Sequence, residues 1–435
     1  MSLMVKKATK SNIWDTVVIG GGPAGLMAAS TAGKHGAKVL LLEKNEIMGK
    51  KLLISGGGRC NMTNGEPNPR TLISKYGKKG NFLFTPFSVF DNNDAIRFFE
   101  GLGVKTKVEN LFRIFPVSDK SSDVLEALTK SCEDNGVEFR VGVGVSHLKQ
   151  SKKKIESVIL EDGNEIKAKN FILATGGKSR PETGSTGDGF KWLKEIGHKV
   201  VEANPSLVPI KTKEEWVKDL AGITLDNVGV SIWHNGKKMH GKVGRILFTH
   251  EGLSGPTIIN MSKMIGELLE GTEYEGENKV KVAIDFFPGI GLDVMHQNVL
   301  NVFEQNPKKK LKNLVFKEVP EKVYLKMISL MSMDSDWFAN EVRRAERFAI
   351  VETFKKFELT VDRLLGYDKA IISSGGVDLN ELDFKEMKSK LYDNLFLIGD
   401  ILDFDRPSGG YSLQLCWTTG YVAGKSAAKQ LQIKN

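Results

Sequence analysis

Gly20-Gly21-Gly22-Pro23-Ala24-Gly25 spells G-x-G-x-x-G, and an acid, Glu43, ends the next apolar run. These residue types in this order suit the binding of a dinucleotide. Gly20 permits a tight turn, Gly22 lets a pyrophosphate approach the backbone, and Gly25 lets a helix pack close to a strand. Pro23 and Ala24 open that helix, whose free N–H groups hold phosphate charge. Glu43 is placed to accept hydrogen bonds from a ribose diol. The motif does not separate NAD from FAD.

The flanking elements give the motif its weight. Thr16-Val17-Val18-Ile19 is a short apolar run before the glycines. Ala24, Ala28, Ala29 and Ala32 line a helix of small residues after them, and Val39-Leu40-Leu41-Leu42 is a second buried-type strand. Strand, glycine turn, helix, strand and acid together form the first half of a Rossmann unit.

Other chemistries find little support. Cys60, Cys132 and Cys416 form no CxxC pair, so neither a disulfide framework nor a thioredoxin-type redox pair is expected. The seven histidines show no H-x-x-x-H spacing, so no metal site is expected. No G-x-S-x-G elbow is present, against the usual serine hydrolase. Met1 to Lys10 is basic without an apolar core, and no apolar run reaches membrane-spanning length, so a soluble cytoplasmic protein is expected. The 435 residues, 40% of them hydrophobic, are enough for two or three domains. The net charge of +9 includes Lys152-Lys153-Lys154 and Lys308-Lys309-Lys310, which read first as solvated surface and second as a nucleic-acid footprint.

Along the chain, Gly49 to Asn64 is too rich in glycine and polar groups for a core element and reads as a loop wrapped on something. Asn93 to Gly101 and Ser122 to Asn135 read as helices. Val137 to Val141, Ile155 to Leu160 and Glu165 to Leu173 alternate and read as a three-strand meander, with Asp162-Gly163 as a hairpin turn. Its last strand runs into Ala174-Thr175-Gly176-Gly177, at the carboxyl end where α/β sheets place ligands. Leu207–Ile210, Val228–Trp233, Arg245–Phe248 and Lys279–Ile284 are β-like, and Asn235-Gly236 marks a hairpin. Residues 291 to 365 are mostly helical in pattern, with Met327, Met331, Met333 and Phe338 read as core. Nucleotide-fold grammar then returns: Ile371 to Val377 with Gly375-Gly376, Leu395 to Ile398 ending in Gly399-Asp400, and a small-residue helix from Ser412 to Ala428. The cofactor fold is therefore split by a large insertion.

Four separated segments resemble flavoproteins of the glutathione-reductase and fumarate-reductase type: Gly20 to Glu43, Ala174 to Gly177, Ser374-Gly375-Gly376 and Gly399-Asp400. More narrowly, the chain resembles the bacterial NAD(P)/FAD-dependent oxidoreductases of the BaiN type. Lys51 to Asn64, Phe115 to Lys120, Gly184 to Gly189, Glu251 to Pro256 and Ser408 to Gln414 carry that likeness. The resemblance implies an α/β fold with bound FAD: a Rossmann-like FAD domain with a parallel sheet and a meander (1–199 and 366–435), an inserted β-barrel-like domain (200–290) and a small helical domain (291–365). It implies that Asp400 bonds the ribityl chain and that the helix after it points its N-terminus at the flavin pyrimidine, favouring reduced flavin.

The expected cofactor contacts also include Lys44, Lys51, Gly57, Gly58, Arg59, Cys60, Asn61, Val145 and the run Gly410, Tyr411, Ser412, Leu413 and Gln414. Near the reacting end, Arg59, Cys60, Asn61, Arg113 and Tyr411 are the catalytic candidates. Arg59 reads first as a phosphate or ribityl contact, and Tyr411 first as a packing residue at the flavin edge. Hydride would pass through flavin N5 to or from a small organic substrate. A second G-x-G-x-x-G for NAD(P)H is missing, so NAD(P)H as donor comes from the resemblance alone. An RNA-modifying flavoprotein and an FAD-binding electron carrier are the alternatives, with nucleic acid the less favoured partner.

Overall fold

A computed structural model of the chain describes residues 13–270, 280–370 and 372–432. Met1 to Lys10, Lys279 and Ile371 lie outside the described residues. The chain divides into two compact units: Met1–Pro205 with Ala370–Asn435, and Ser206–Lys369.

In the first unit a parallel core runs Leu395–Leu397, Glu165–Leu173, Trp14–Ile19, Val39–Leu42 and Glu138–Arg140, in that spatial order. The central runs do not alternate because both faces are covered: every residue of Val39–Leu42 is buried. Leu395–Leu397 lies directly beside Phe171–Leu173, so the split halves close into one sheet. The helices Pro23–Lys34 and Tyr411–Gln432 pack backbone to backbone. A Cβ at Gly420 or Gly424 would come 2.6 or 2.4 Å from the Ala24 or Ala28 carbonyl oxygen.

Three local expectations need correction. The meander is formed by Val145–Ser151, Lys154–Leu160 and Glu165–Leu173. Glu138–Arg140, read as its first strand, instead extends the parallel sheet beside Val39–Leu42. Its alternation reflects an edge position. The stretch 49–64 is not merely a wrapped loop. It contains the helical turn Lys50–Leu53 and the strand Thr63–Asn64, and it buries Leu52, Cys60 and Met62. The remaining helices start close to their expected positions, at Asn92–Gly101 and Ser121–Asp134. Asp91 caps the first through a reciprocal pair with Asp94.

The second unit is a closed antiparallel barrel of six strands: Ile210–Thr212, Gly252–Ser254, Lys237–Phe248, Thr224–His234, Val280–Asp285 and Phe357–Leu364. Asn235 and Gly236 both take positive φ in the hairpin between the two longest strands. The last strand falls in the stretch read as mostly helical. Phe357, Leu359 and Val361 are buried in alternation, a period of two that the surrounding helices mask. The helices Leu292–Gln305, Glu321–Leu330 and Arg344–Lys355 share one core with the barrel, joining Val299, Met327 and Phe354 to Ile232, Val282 and Leu359. Met331 and Met333 pack against that core, whereas Phe338 is 41% exposed. No helix among the described residues is long and apolar enough to cross a membrane.

Candidate active site

The first unit opens a cleft at the carboxyl ends of its parallel strands, where such folds bind ligands. It is lined by residues from both halves of the split fold, from Ile19 to Cys416. The G-x-G-x-x-G turn forms one wall, and the three glycines divide the work as the motif demands. A Cβ at Gly25 would sit 1.9 Å from the Gly20 carbonyl oxygen, so only glycine lets the helix lie this close. A Cβ at Gly22 would meet no protein atom within 4 Å, because that position faces the open cleft.

Glu43, Lys44 and Val145 line the same cleft, with Ala174, Thr175 and Gly176. The Glu43 carboxylate accepts from the Gly21 amide at 2.7 Å and from the Asn45 amide at 2.8 Å. It is thereby aimed across the mouth of the glycine turn. Lys44 pairs with Asp188 at 2.6 Å, which ties the Gly184 to Gly189 segment to the rim.

At the far end Asp400 and Cys416 complete the lining. Lys51 donates to the Ser179 hydroxyl at 2.6 Å and reaches Asp400 Oδ2 at 3.4 Å. Asp400 Oδ1 is buried without a hydrogen-bond partner, as is Thr175 Oγ1. Burial pushes the Asp400 carboxyl up, but the charges of Arg406 and Lys51 outweigh it and hold the group below its usual value. Arg406 was not among the residues expected from sequence. Its side chain is fully buried, and Nη2 lies 3.3 Å from Asp400 Oδ1.

The remaining expected residues gather elsewhere. Arg59 donates to Asp119 at 2.9 and 2.6 Å, binds Glu109 and lies 4.3 Å over the Phe115 ring. Arg113 donates to the Asn110 carbonyl at 3.0 Å and faces the same ring. These two arginines form an ionic cluster with Lys107, and neither lines the cleft. Gly57 and Gly58, both at positive φ, lead into it. Cys60 is fully buried, and burial pushes its thiol up to about 12, so it carries no thiolate at neutral pH. Burial raises Cys416 as well, ahead of the nearby Asp400 charge.

The segment before the last helix is packed onto Thr63–Asn64. A Cβ at Gly410 would meet the Thr63 carbonyl carbon at 2.3 Å, and the Asn61 side-chain amide bridges the Thr63 carbonyl and the Gly410 amide at 3.1 Å each. Tyr411 is buried and its carbonyl accepts from the Tyr76 hydroxyl at 2.8 Å. Ser412 and Leu413 are half-buried on the first turn. Gln414 is wholly internal, bonded to Thr63 and Thr418. Gly376 and Gly399 support the Asp400 turn from behind: their Cβ atoms would meet the Ile401 carbonyl oxygen at 2.5 Å and Ala24 at 2.8 Å.

These features fit FAD. The glycine turn leaves open space for a pyrophosphate, Glu43 offers a carboxylate beyond it, and Asp400 Oδ1 and Thr175 Oγ1 accept no hydrogen bond from the protein. Among the described residues no group of His, Cys, Asp or Glu is arranged to hold a metal.

Comparison with known proteins agrees with this geometry. The model of the HI0933-like protein Rossmann domain matches residues 14–426. A 3-dehydro-bile acid delta(4,6)-reductase of Clostridium scindens is 31% identical over 415 residues, 95% of this chain and 98% of that protein. A ribosomal RNA dihydrouridine synthase of Haemophilus influenzae is 27% identical over 420 residues, 96% of this chain and 99% of that protein. A flavocytochrome c3 fumarate reductase in its open conformation superposes with a TM-score of 0.52 at 18% identity, covering 96% of this chain and 78% of that one. At that identity the likeness speaks for the fold alone, a Rossmann-like flavoprotein fold as expected. Matched nearly end to end by the family and its relatives, the chain belongs to the HI0933-like family and is an FAD-dependent oxidoreductase.

Proposed function

We propose that the chain reduces a carbon–carbon double bond conjugated to a carbonyl in a small organic substrate, with NAD(P)H as the electron source. The two full-length relatives support this class. One name describes reduction of ring double bonds in a 3-oxo steroid acid, the other reduction of a uridine ring. Both are additions of hydride and proton across a polarised alkene.

In this reading the cleft holds FAD end to end. The helix start at Pro23 faces the pyrophosphate, where its free N–H groups and dipole favour negative charge. Glu43 accepts from the adenosine ribose hydroxyls. Asp400 accepts from the ribityl hydroxyls, and Lys51 holds that carboxylate ionised and in place. Bound FAD supplies the hydride at N5; the protein orients it and tunes its charge. Tyr411, at the start of the last helix, is the proton-donor candidate, since a phenol carries its proton at neutral pH. Arg59 and Arg113 would act on substrate rather than cofactor, because their cluster lies outside the cleft lining.

The observation that carries this reading is that Asp400 and Thr175, each with a side-chain oxygen that makes no hydrogen bond within the protein, line one cleft with the open face of Gly22. The test is anaerobic absorbance of FAD-loaded protein. NADH or NADPH should bleach the flavin band, and a conjugated enone from a panel should restore it. A flavin that no conjugated alkene reoxidises would overturn the proposal.

A second reading takes RNA as the substrate. The net charge of +9 and the dihydrouridine synthase relative favour it. The hydride chemistry would be the same, so the discriminating measurement is binding. RNA affinity that falls steeply with salt would favour this reading, and no retention at low salt would remove it.

A further inference from the structure

The hairpin from Thr106–Glu109 to Arg113–Pro116 turns through residues that its geometry disfavours. Leu111 and Phe112, consecutive at the tip, both take positive φ, at 62° and 57°. Tight hairpin turns of this kind favour Asn and Gly, and a bulky side chain there strains the backbone. The two side chains gain little burial in return: Leu111 is 83% exposed and Phe112 51%. The turn is nevertheless held. The Gly65 amide donates to the Phe112 carbonyl at 2.6 Å, and the side-chain amide of the buried Asn64 donates to the Leu111 carbonyl at 3.0 Å. The same Asn64 amide donates to the Gly409 carbonyl at 3.2 Å. It thereby seats the tip beside the loop that leads into Tyr411, the proton-donor candidate. Strain that the surroundings enforce gathers at functional positions.

Charge lies next to this apolar tip. Lys107, Arg59 and Arg113 face Glu109 and Asp119, three cations to two carboxylates. Arg59 is taken up by both carboxylates. Arg113 carries the surplus: its Nε donates to the Asn110 carbonyl, and its Nη2 comes only within 3.9 Å of Glu109, beyond hydrogen-bond reach. We propose that Leu111 and Phe112 select the substrate by covering the flat face of its conjugated ring, while Arg113 binds an acidic group on the same molecule. The proposal deepens, and rests on, the reading of the protein as a reductase of conjugated alkenes. It narrows the substrate class to a conjugated ring bearing a carboxylate or a phosphate, either of which suits the planar donor fork of a guanidinium.

The test follows anaerobic reoxidation of dithionite-reduced holoprotein by two pairs of compounds: a cyclic enone carboxylate and its methyl ester, and uridine monophosphate and uridine. In wild type the charged member of one pair should react at least tenfold faster at low concentration. Preference in the first pair would give the anion as a carboxylate, and in the second as a phosphate. Equal rates within both pairs would overturn the proposal. Arg113→Gln should erase the preference, and a preference left intact would overturn the assignment. The double variant Leu111→Asn with Phe112→Gly supplies the residues that the turn favours, so its apoprotein should melt at or above the wild-type temperature. Its half-saturating substrate concentration should nevertheless rise at least tenfold, with a smaller change in the limiting rate. Wild-type saturation in that variant would overturn the proposal, and so would a lower melting temperature, which would make the tip a structural element. Lost self-association with unchanged saturation would also overturn it, making the tip a contact between copies of the chain. Reduced holoprotein that none of these compounds reoxidises would defeat the underlying reading, and the proposal with it.

Discussion

Replacing Gly22 and Gly25 by alanine, one at a time, should separate ligand binding from folding within a single turn. At Gly25 the new methyl would lie 1.9 Å from the Gly20 carbonyl oxygen and 3.3 Å from the Ala174 side chain. Both obstacles directly follow the ends of sheet strands, at Ile19 and Leu173, so the helix Pro23–Lys34 must move away from them. Overpacking of this kind costs about 1–3 kcal/mol. At Gly22 the backbone is extended, with φ −79° and ψ −178°, which alanine adopts freely. Its methyl would meet no protein atom within 4 Å. The apoprotein should therefore melt at or slightly above the wild-type temperature, since alanine restricts the unfolded chain by about 0.4–1 kcal/mol. The methyl occupies the approach of the pyrophosphate, however. Losing one charge-assisted hydrogen bond there costs about 1.5–3 kcal/mol, which weakens FAD binding roughly 10- to 150-fold. Thermal melting of apoprotein by circular dichroism and titration with FAD by fluorescence measure the two effects. A Gly22→Ala protein that binds FAD like wild type would refute the placement of the phosphate, and an undisturbed Gly25→Ala melt would refute the packing argument.

Asp400→Asn should destabilise the apoprotein by about 3–5 kcal/mol, because it leaves the fully buried Arg406 without a counter-charge. The Asp400 carboxyl is depressed in the folded state, so its stabilising share is present above the ordinary carboxylate value of 3.8 and is lost as pH falls through the lower folded value. Acid unfolding of wild type should show that loss, and the asparagine variant should lack it. Cys60, Cys132 and Cys416 are buried, with Cys60 and Cys132 raised to about 12, so native protein at neutral pH should resist iodoacetamide until denaturant is added. Mass spectrometry of protein labelled with and without denaturant would check it. Glu43→Ala should lower FAD affinity while leaving flavin reduction potential unchanged, since the carboxylate lies at the opposite end of the cleft from Asp400; a shifted potential would contradict that placement.

The parts of this molecule that were legible in the sequence share one property: their residues must be small, or uniformly apolar, over a short local span. The glycine turn, the strand Val39–Leu42 and the Gly399-Asp400 corner are of that kind. The strand Phe357–Leu364 was obscured because its alternation is brief and follows a long helix. Glu138–Arg140 misled because an edge strand of a parallel sheet alternates just as a hairpin strand does. The network of Arg59, Glu109, Asp119 and Lys107 depends on residues distant in the chain, and no local spacing announces it. Arg406 was passed over for a related reason. In a polar loop of Asp, Arg, Pro and Ser, nothing but the folded environment distinguishes a buried cation from a solvated one.

The seam between Phe171–Leu173 and Leu395–Leu397 bears on how the protein is made. A ribosome delivers the glycine turn early, whereas the carboxylate corner at Asp400 follows Gly25 by 375 residues, and the small-residue helix that backs it comes later still. Chains generally begin to fold from the N-terminus during synthesis at roughly 5–20 residues per second. Until those segments arrive, one flank of the central strand and the alanine face of the first helix have nothing to cover them. Cofactor loading must therefore wait for the helix Tyr411–Gln432, and products truncated before it should emerge colourless and insoluble.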